Sequence, residues 1–431
     1  MTADTTKLSR AARVHSKKVL WLAALILFLG PASFFAYPHV RAAWHFHAAE
    51  KALAARHLAE ARSHLDVCLH TWPRSAANQL LAARIARRAG AYAEADRRLD
   101  ECQRLHGPGD DIKLERALLQ VQQGGLAENT ETLLRDYVVR DHHPESAAIL
   151  EALAEGCRRN YRIESALKYL DLLLERKPND AHALLARGWV HERMGHVENA
   201  RDDYRLALSL EPASDEALLD LAKVLLQMGE TKEAVERFEE LRRRQPDHPL
   251  AALGLAQGRF KLGQIDETRQ LLEKLVAKHP RELAPILELG RFYTQVGKPA
   301  QAANWLRKAC ELDPHDYQAH YALCQCLRQL GEEAALKVYE NRLHEIDNDL
   351  KRMNELSDEV QKRPYDLSPQ VEMARVFLRN GQEREAILKL ENVLKIDAHH
   401  TPALELLAEY YEKKGDRRQA EGYRRQMQDG D

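Results

Sequence analysis

The chain has 431 residues, which exceeds the usual size of one compact core and indicates several domains or a repeat array. Charged residues make up 30% and aromatic residues 6%, a balance typical of helical sequence rather than of sheet. The formal net charge of −2 excludes a global electrostatic field that would draw the whole protein to nucleic acid.

The first predicted element is an apolar segment at residues 19–37, "VLWLAALILFLGPASFFAY", which carries no charge and is long enough to cross a bilayer as one helix. Basic residues precede it, so residues 1–18 are expected in the cytoplasm and the remainder on the extracytoplasmic side. The sequence therefore predicts a single-pass membrane protein, with the lipid bilayer as a partner through residues 19–37. The alternative is a secreted or periplasmic protein from which this segment is cleaved as a signal peptide.

A regular period follows. Prolines recur at intervals of 34 residues at Pro144, Pro178, Pro212, Pro246, Pro280 and Pro314. Glycines stand seventeen residues before the last four of these, at Gly195, Gly229, Gly263 and Gly297. A fixed period of this length indicates stacked supersecondary units. Because glycine readily ends a helix in the left-handed conformation, each unit is predicted to be two helices joined by a turn.

Small residues recur twelve positions before the proline, at Ala61, Ala166, Ala200, Ala234 and Ala302. A small side chain there would let the two helices of a unit pack closely. At this point the sequence resembles the tetratricopeptide repeat family. The family pattern is matched best by Ile286, Leu289, Gly290, Tyr293, Ala302, Leu306, Ala309 and Pro314, and by Gly188, Ala200, Tyr204, Ala207 and Pro212.

The resemblance implies an all-α fold, a right-handed α-solenoid of helix pairs, here preceded by one transmembrane helix. Units begin near residues 42, 76, 111, 147, 181, 215, 249, 283, 317, 367 and 401. The predicted domains are a cytoplasmic basic N-terminus at 1–18, a transmembrane helix at 19–37, repeat units 1–9 at 42–335, an extended helix at 336–363, and units 10 and 11 at 367–431.

The extended helix interrupts the period, because 50 rather than 34 residues separate the units that begin at Tyr317 and Leu367. Its apolar residues keep a coiled-coil-like spacing at Leu343, Ile346, Leu350, Met353 and Leu356. The helix is therefore expected either to rest on a neighbouring unit or to pair with another chain in an oligomer.

Motifs of catalysis and metal binding are absent from the sequence: it contains no GxxxxGK, GxSxG, HExxH or CxxC. His45 and His47, and likewise Cys324 and Cys326, are two residues apart, so on a helix they point in different directions and cannot chelate one metal. The cysteines are expected to be buried thiols. We predict no enzyme, cofactor, metal site or nucleic-acid partner.

The extended concave surface of a solenoid is its natural binding surface. In the family, the first helix of each unit lines this groove, which implies a peptide-binding set dominated by cations and amides. The candidate residues are Arg159, Trp189, Arg193, Lys223, Gln227, Gln257, Lys261, Arg291, Gln295, Gln325, Gln329, Arg375 and Arg379. Glutamine can bond a peptide backbone through both its donor and its acceptor.

These residues favour a membrane-anchored scaffold that binds protein or peptide partners, acidic ones in particular, without catalysis. One alternative is an accessory or regulatory subunit of a membrane enzyme complex that delivers substrate to a partner. Another is an enzyme with a site on the concave face, which would require a deep pocket with convergent carboxylates or histidines. The simplest alternative interpretation of these cations and amides is that they only keep the protein soluble.

Overall fold

The computed structural model describes residues 37–139 and 145–428, and within them every regular element is a helix. The prediction of an all-α fold built from stacked helix pairs is confirmed for this part of the chain. Residues 37–54 form α1. The helices that follow are α2 (Leu58–Thr71), α3 (Ala76–Arg88), α4 (Tyr92–His106), α5 (Asp110–Gln122), α6 (Glu128–Val139), α7 (Ser146–Arg159), α8 (Ile163–Arg176), α9 (Ala181–Arg193), α10 (Val197–Leu210), α11 (Asp215–Met228), α12 (Thr231–Arg244), α13 (Pro249–Lys261), α14 (Ile265–Lys278), α15 (Leu283–Gln295), α16 (Pro299–Leu312), α17 (Tyr317–Leu330), α18 (Glu333–Lys362), α19 (Ser368–Arg379), α20 (Glu383–Ile396), α21 (Thr401–Lys413) and α22 (Arg417–Gln428).

The chain divides into two compact units, Met1–Leu119 and Gln120–Asp431, hereafter unit 1 and unit 2. In unit 1 the buried carboxylate of Glu115 accepts hydrogen bonds from Arg84 Nε at 3.0 Å and Arg87 Nε at 2.8 Å. This pairing satisfies a charge that would otherwise be costly to bury. The domain ranges deduced from the repeats remain a proposal.

Each helix pair begins and turns at positions set by local sequence. Ser214 caps α11, because its side chain accepts a hydrogen bond from the Ala217 amide at 3.2 Å, and Asp316 caps α17 in the same way through Ala319 at 2.7 Å. Gly229 ends α11 with φ of 84°, a left-handed conformation that costs glycine little. The prolines and glycines of the period therefore mark where helices start and stop.

Close packing between helices depends on residues without bulk. Ala200, Ala234 and Ala302 are fully buried. A Cβ atom added at Gly254 would lie 2.2 Å from the Phe238 ring, and one at Gly290 would lie 2.7 Å from the Leu306 side chain. Such distances are too short for unperturbed packing, so these glycines let neighbouring helices approach each other.

Gly254→Ala is therefore expected to lower the free energy of unfolding by about 1–3 kcal/mol, because the new methyl group must displace a buried ring in a filled core. The matched control is Gly422→Ala in α22, where an added Cβ meets nothing within 4 Å. That substitution should be neutral or stabilise the helix by up to about 1 kcal/mol. Thermal unfolding of both variants measures the difference, and equal effects would contradict this account of the packing.

The predicted localisation must be corrected. Within residues 37–139 and 145–428, no helix combines the length and the apolar character needed to cross a membrane. The segment on which the prediction rested, residues 19–37, lies outside the described residues apart from Tyr37. The structure therefore gives no support to a single-pass membrane protein.

Helix α18 is 30 residues long, and its apolar face packs inside unit 2. Leu356 and Val360 form a cluster with Met373 and Val376 of α19, against which Tyr161 and Met353 also pack. Ile346 is buried as well. The buried positions of this helix are thus covered by its own chain, as one of the two sequence hypotheses required, and nothing here supports pairing with a second chain.

Candidate functional site

Unit 2 closes on itself through contacts between residues 200 or more positions apart in the sequence. Gln361 Nε2 donates to the Tyr161 carbonyl at 2.5 Å, Lys389 Nζ donates to the Arg159 carbonyl at 3.3 Å, and Lys395 Nζ donates to the Gln123 carbonyl at 3.0 Å. A linear solenoid makes contacts only between neighbouring repeats. The repeat period predicts an open array of this kind, so the closure is a feature that the sequence did not indicate.

A buried ion pair lies at the same junction. Arg162 donates to both oxygens of the Glu131 carboxylate, at 2.6 and 3.2 Å, and both side chains are almost fully buried. The hydroxyl groups of Tyr169 and Tyr365 also donate to Glu131, the second at 3.1 Å. Because Tyr365 follows α18, this network joins the early repeats of unit 2 to its late ones.

Tyr161 is the unusual residue of the closure. Its φ of 60° places it in the left-handed region, where Gly195, one period later, has φ of 78°. A bulky residue in this conformation is strained by about 1–2 kcal/mol. In this conformation the Tyr161 side chain makes two contacts: it packs on the α18–α19 cluster, and its ring centre lies 4.1 Å from Lys389 Nζ.

The closure borders a cavity of about 840 Å³. Its walls come from α7, α8 and α9 on one side and from α17, α18, α19 and α20 on the other. The lining residues include Arg158, Arg159, Tyr161, Ile163, Trp189, Arg193, Asp313, His315, Asp316, Ile346, Asp349, Leu350, Met353, Met373, Val376, Phe377, Glu385, Leu388, Lys389 and Asn392. Of the predicted site residues, this cavity brings together Arg159, Trp189 and Arg193.

The cationic wall of the cavity is built around Trp189. The guanidinium carbons of Arg158 and Arg193 lie 4.4 and 5.3 Å from the centre of its ring. Arg158 and Arg159 are both paired with Glu155. Within the described part of the chain, Arg193 has no carboxylate partner, so its charge is available to a ligand.

Lys389 is the second of the lysines and arginines lining the cavity that has no carboxylate partner among the described residues. Its side chain is only 4% exposed, and its polar contacts are the Arg159 carbonyl and the Tyr161 ring. Burial lowers the pKa of the Lys389 ammonium to about 7. A lysine buried against a cavity with a shifted pKa is a marker of functional sites.

Most of the acidic side chains that line the cavity already bond to other groups of the protein. Asp316 caps α17, and Asp313 accepts a hydrogen bond from the His315 amide at 2.9 Å. Asp349 pairs with Arg379. Glu385 is exposed on the first turn of α20. The carboxylates are therefore not gathered at one point, as acid–base chemistry would require.

The remaining predicted site residues lie on the first helices of later repeats, outside the cavity lining. Lys223 pairs with Asp220 at 3.0 Å, Arg375 with Glu372 at 3.5 Å, and Gln257 bonds Glu288 at 3.0 Å. Lys261 donates to the Leu226 carbonyl at 2.9 Å and so caps the end of α11. Much of the predicted positive charge is thus satisfied within the protein.

Four exposed residues of the predicted set keep their polar groups free of protein partners within residues 37–139 and 145–428. They are Gln227, Arg291, Gln295 and Gln329, and each lies in the last two turns of a first helix, on α11, α15 and α17. Gln325 is half-buried one turn before Gln329. Gln227, Gln295 and Gln329 share one repeat position and so lie on equivalent faces of their repeats, and Lys261 holds this position in the repeat between Gln227 and Gln295.

Three features of this site were missed from the sequence: the Glu131–Arg162 pair, Tyr161 and Lys389. Only Tyr161 carried a readable signal, since it stands one period before Gly195, where the repeat favours glycine. Arg162 is 31 residues from Glu131 and Arg159 is 230 residues from Lys389, and neither separation matches the period of 34 residues.

No group of three or more histidine, cysteine or acidic side chains is placed to hold a metal ion in the part of the chain that the structure describes. His45 contacts His64, with 2.7 Å between their Nδ1 atoms, rather than His47. All six cysteines are buried and free, as predicted, and burial raises the pKa of the Cys157 thiol to about 12.

Comparison with known proteins concerns the repeats. Four models described as tetratricopeptide repeat match residues 158–217, 193–258, 250–281 and 286–316. No curated protein matches the chain at a significant level. Among solved structures, a tetratricopeptide repeat protein from Parabacteroides merdae is 17% identical over 67% of this chain and 97% of its own, with a TM-score of 0.46.

Two further structures cover less of the chain. MamA from Desulfovibrio magneticus RS-1 is 23% identical over 38% of this chain and 94% of its own, with a TM-score of 0.36. PilW, described as a widely conserved type IV pilus biogenesis factor, is 21% identical over 46% of this chain and 91% of its own, with a TM-score of 0.41. Over residues 158–281 and 286–316, the chain is thus similar to tetratricopeptide repeats.

Proposed function

We propose that this protein is a scaffold that binds an extended segment of a protein partner along the first helices of unit 2, without catalysis of its own. The observation that carries the proposal is the set of exposed polar groups at Gln227, Arg291, Gln295 and Gln329, which have no partner among the residues that the structure describes. Amides can bond a peptide backbone as donor and acceptor at once, and arginine can bind a carboxylate through two parallel bonds.

The proposed binding surface contains fewer residues than the groove predicted from the sequence. Lys223 already pairs with Asp220, and Lys261 already caps the end of α11. Replacing either lysine would therefore disturb the fold as well as any bound ligand. Arg291, exposed on α15 and free of a described carboxylate, is the cation best placed to bind an acidic side chain of the partner. The partner segment is therefore expected to be extended and to carry at least one carboxylate.

The test is a triple variant on this surface, Gln227→Glu, Arg291→Glu and Gln295→Glu. It should weaken capture of the partner at least tenfold, because one charge-assisted hydrogen bond is worth about 1.5–3 kcal/mol and the new carboxylates repel an acidic segment. Binding by the wild-type protein should also fall with added salt. Quantitative affinity capture, with helicity checked by circular dichroism, measures both effects.

The matched control is Lys232→Glu with Lys274→Glu, on the exposed faces of the second helices α12 and α14. It changes the net charge by the same amount, so a nonspecific effect of charge would appear in both variants. Equal loss of binding in the two variants, or no loss in either, would show that the first-helix surface is only solubilising.

A further inference from the structure

The cavity of unit 2 has features that the binding of an extended segment does not use. Its volume of about 840 Å³ falls within the range of small-molecule sites, about 300–1,000 Å³. Its walls are joined by the closure contacts, and the exposed amides of the proposed partner surface do not line it. The cavity is therefore a candidate site for a separate ligand.

One side of the cavity is apolar. Leu350 and Leu388 are 46% and 49% exposed, and both line it. Met353 and Phe377, partly buried beside the α18–α19 cluster, extend the same wall. Large aliphatic side chains left in contact with water inside a concave site favour an apolar ligand, because covering them removes apolar surface from water.

The other side offers positive charge that the protein does not neutralise. Lys389 and Arg193 both line the cavity and have no carboxylate partner among the described residues. The centre of the Tyr161 ring lies 4.1 Å from Lys389 Nζ, and Arg193 lines the same cavity from α9. An anionic group on this side of the cavity would be attracted by both cations.

From these two walls we propose that the cavity binds a small amphiphilic carboxylate, with its anionic group between Lys389 and Arg193 and its apolar body against Leu350, Met353, Phe377 and Leu388. Charge complementarity supplies the orientation, since Lys389 retains ammonium donors beyond the one used by the Arg159 carbonyl. The site is independent of the partner surface on α11, α15 and α17.

Binding of decanoate, 1-decanol and acetate to the full chain, measured by calorimetry below the micellar range and at a pH below 7, where Lys389 keeps its proton, tests the proposal. Decanoate should bind at least tenfold more tightly than either 1-decanol, which lacks the charge, or acetate, which lacks the apolar body. Lys389→Met and Arg193→Gln should each weaken decanoate at least tenfold and leave 1-decanol unchanged. Leu388→Trp, which fills the apolar side, should weaken both decanoate and 1-decanol.

Two controls separate this site from others. Lys337→Met, an exposed lysine on α18 outside the cavity, should leave decanoate binding unchanged. The partner-surface triple variant should also bind decanoate normally, so failure of one proposal does not imply failure of the other. Arg193→Gln keeps the test decisive if Lys389→Met alters the fold, because Arg193 is exposed.

Equal affinity for decanoate and 1-decanol, or wild-type binding by both charge variants, would overturn the proposal. So would an acetylated and amidated acidic peptide that binds at the cavity while decanoate does not, since that result would assign the site to a protein segment. Absence of binding by every probe would overturn it as well.

Discussion

Glu131→Ala is expected to lower the free energy of unfolding of unit 2 by about 3–5 kcal/mol, because it leaves the buried guanidinium of Arg162 without a counter-charge. The substitution also removes the acceptor of the Tyr169 and Tyr365 hydroxyl groups. Urea unfolding at neutral pH, followed by far-ultraviolet circular dichroism, measures the loss. Local hydrogen exchange in α6, α8 and the segment after α18 should report it most strongly.

The control for this prediction is Glu155→Ala. Like Glu131, Glu155 forms ion pairs, in this case with Arg158 and Arg159, but all three side chains are about one-third exposed. Solvent screens such pairs, so this substitution should cost no more than about 1 kcal/mol. Comparable losses from the two alanine variants would contradict the view that the buried network holds the closure together.

The same network predicts sensitivity to acid. Burial alone would raise the pKa of the Glu131 carboxyl, but hydrogen bonds from Arg162 and Tyr169 outweigh burial and hold this pKa below its usual range. The folded state therefore binds the proton more weakly than the unfolded state does. Its stabilisation is complete above the unfolded pKa, near 4.5, and is lost as the pH falls through the lowered folded value.

The second large effect concerns Lys389, whose pKa burial lowers to about 7, against about 10.4 in an unfolded chain. Between these values the unfolded state holds a proton that the folded state has released, so the free energy of unfolding should rise with pH. One proton gives a slope of up to about 1.4 kcal/mol per pH unit. Unfolding by urea between pH 7 and 9 measures this slope.

Lys389→Met should flatten the slope and stabilise unit 2 at pH 7, because it removes an ammonium that burial disfavours and retains a similar apolar stem. Lys337→Met, at an exposed position, should leave the slope as in the wild type. A slope that persists in Lys389→Met would mean that another group titrates.

The elements predicted from the sequence were those that depend on nearest neighbours. Ala200, Ala234 and Ala302 recur with the period because each packs against the adjacent helix, so one repeat carries the information for its own contacts. The turn at Gly229, which ends α11, is likewise local. These features are repeated along the chain, which makes them visible without a structure.

The closure could not be predicted in this way, because its contacts occur once. Lys389 contacts Arg159 across 230 residues, and Tyr365 contacts Glu131 across 234.

The sequence prediction also counted too many unpaired cations on the first helices, and this error had a simpler cause. Lys223 and Arg375 each follow an acid by three residues, which on a helix places the two side chains together. That pairing was readable from the sequence.

The proposed scaffold function is tested most directly by photo-crosslinking in cells that produce the protein. A benzophenone amino acid is placed either at Gln295, on the proposed binding surface, or at Lys274, exposed on the second helix α14. We predict that Gln295 cross-links to a protein partner, that Gln227 in α11 captures the same partner, and that Lys274 does not. Equal capture from Lys274, or capture from Lys274 alone, would contradict binding along the first helices of unit 2.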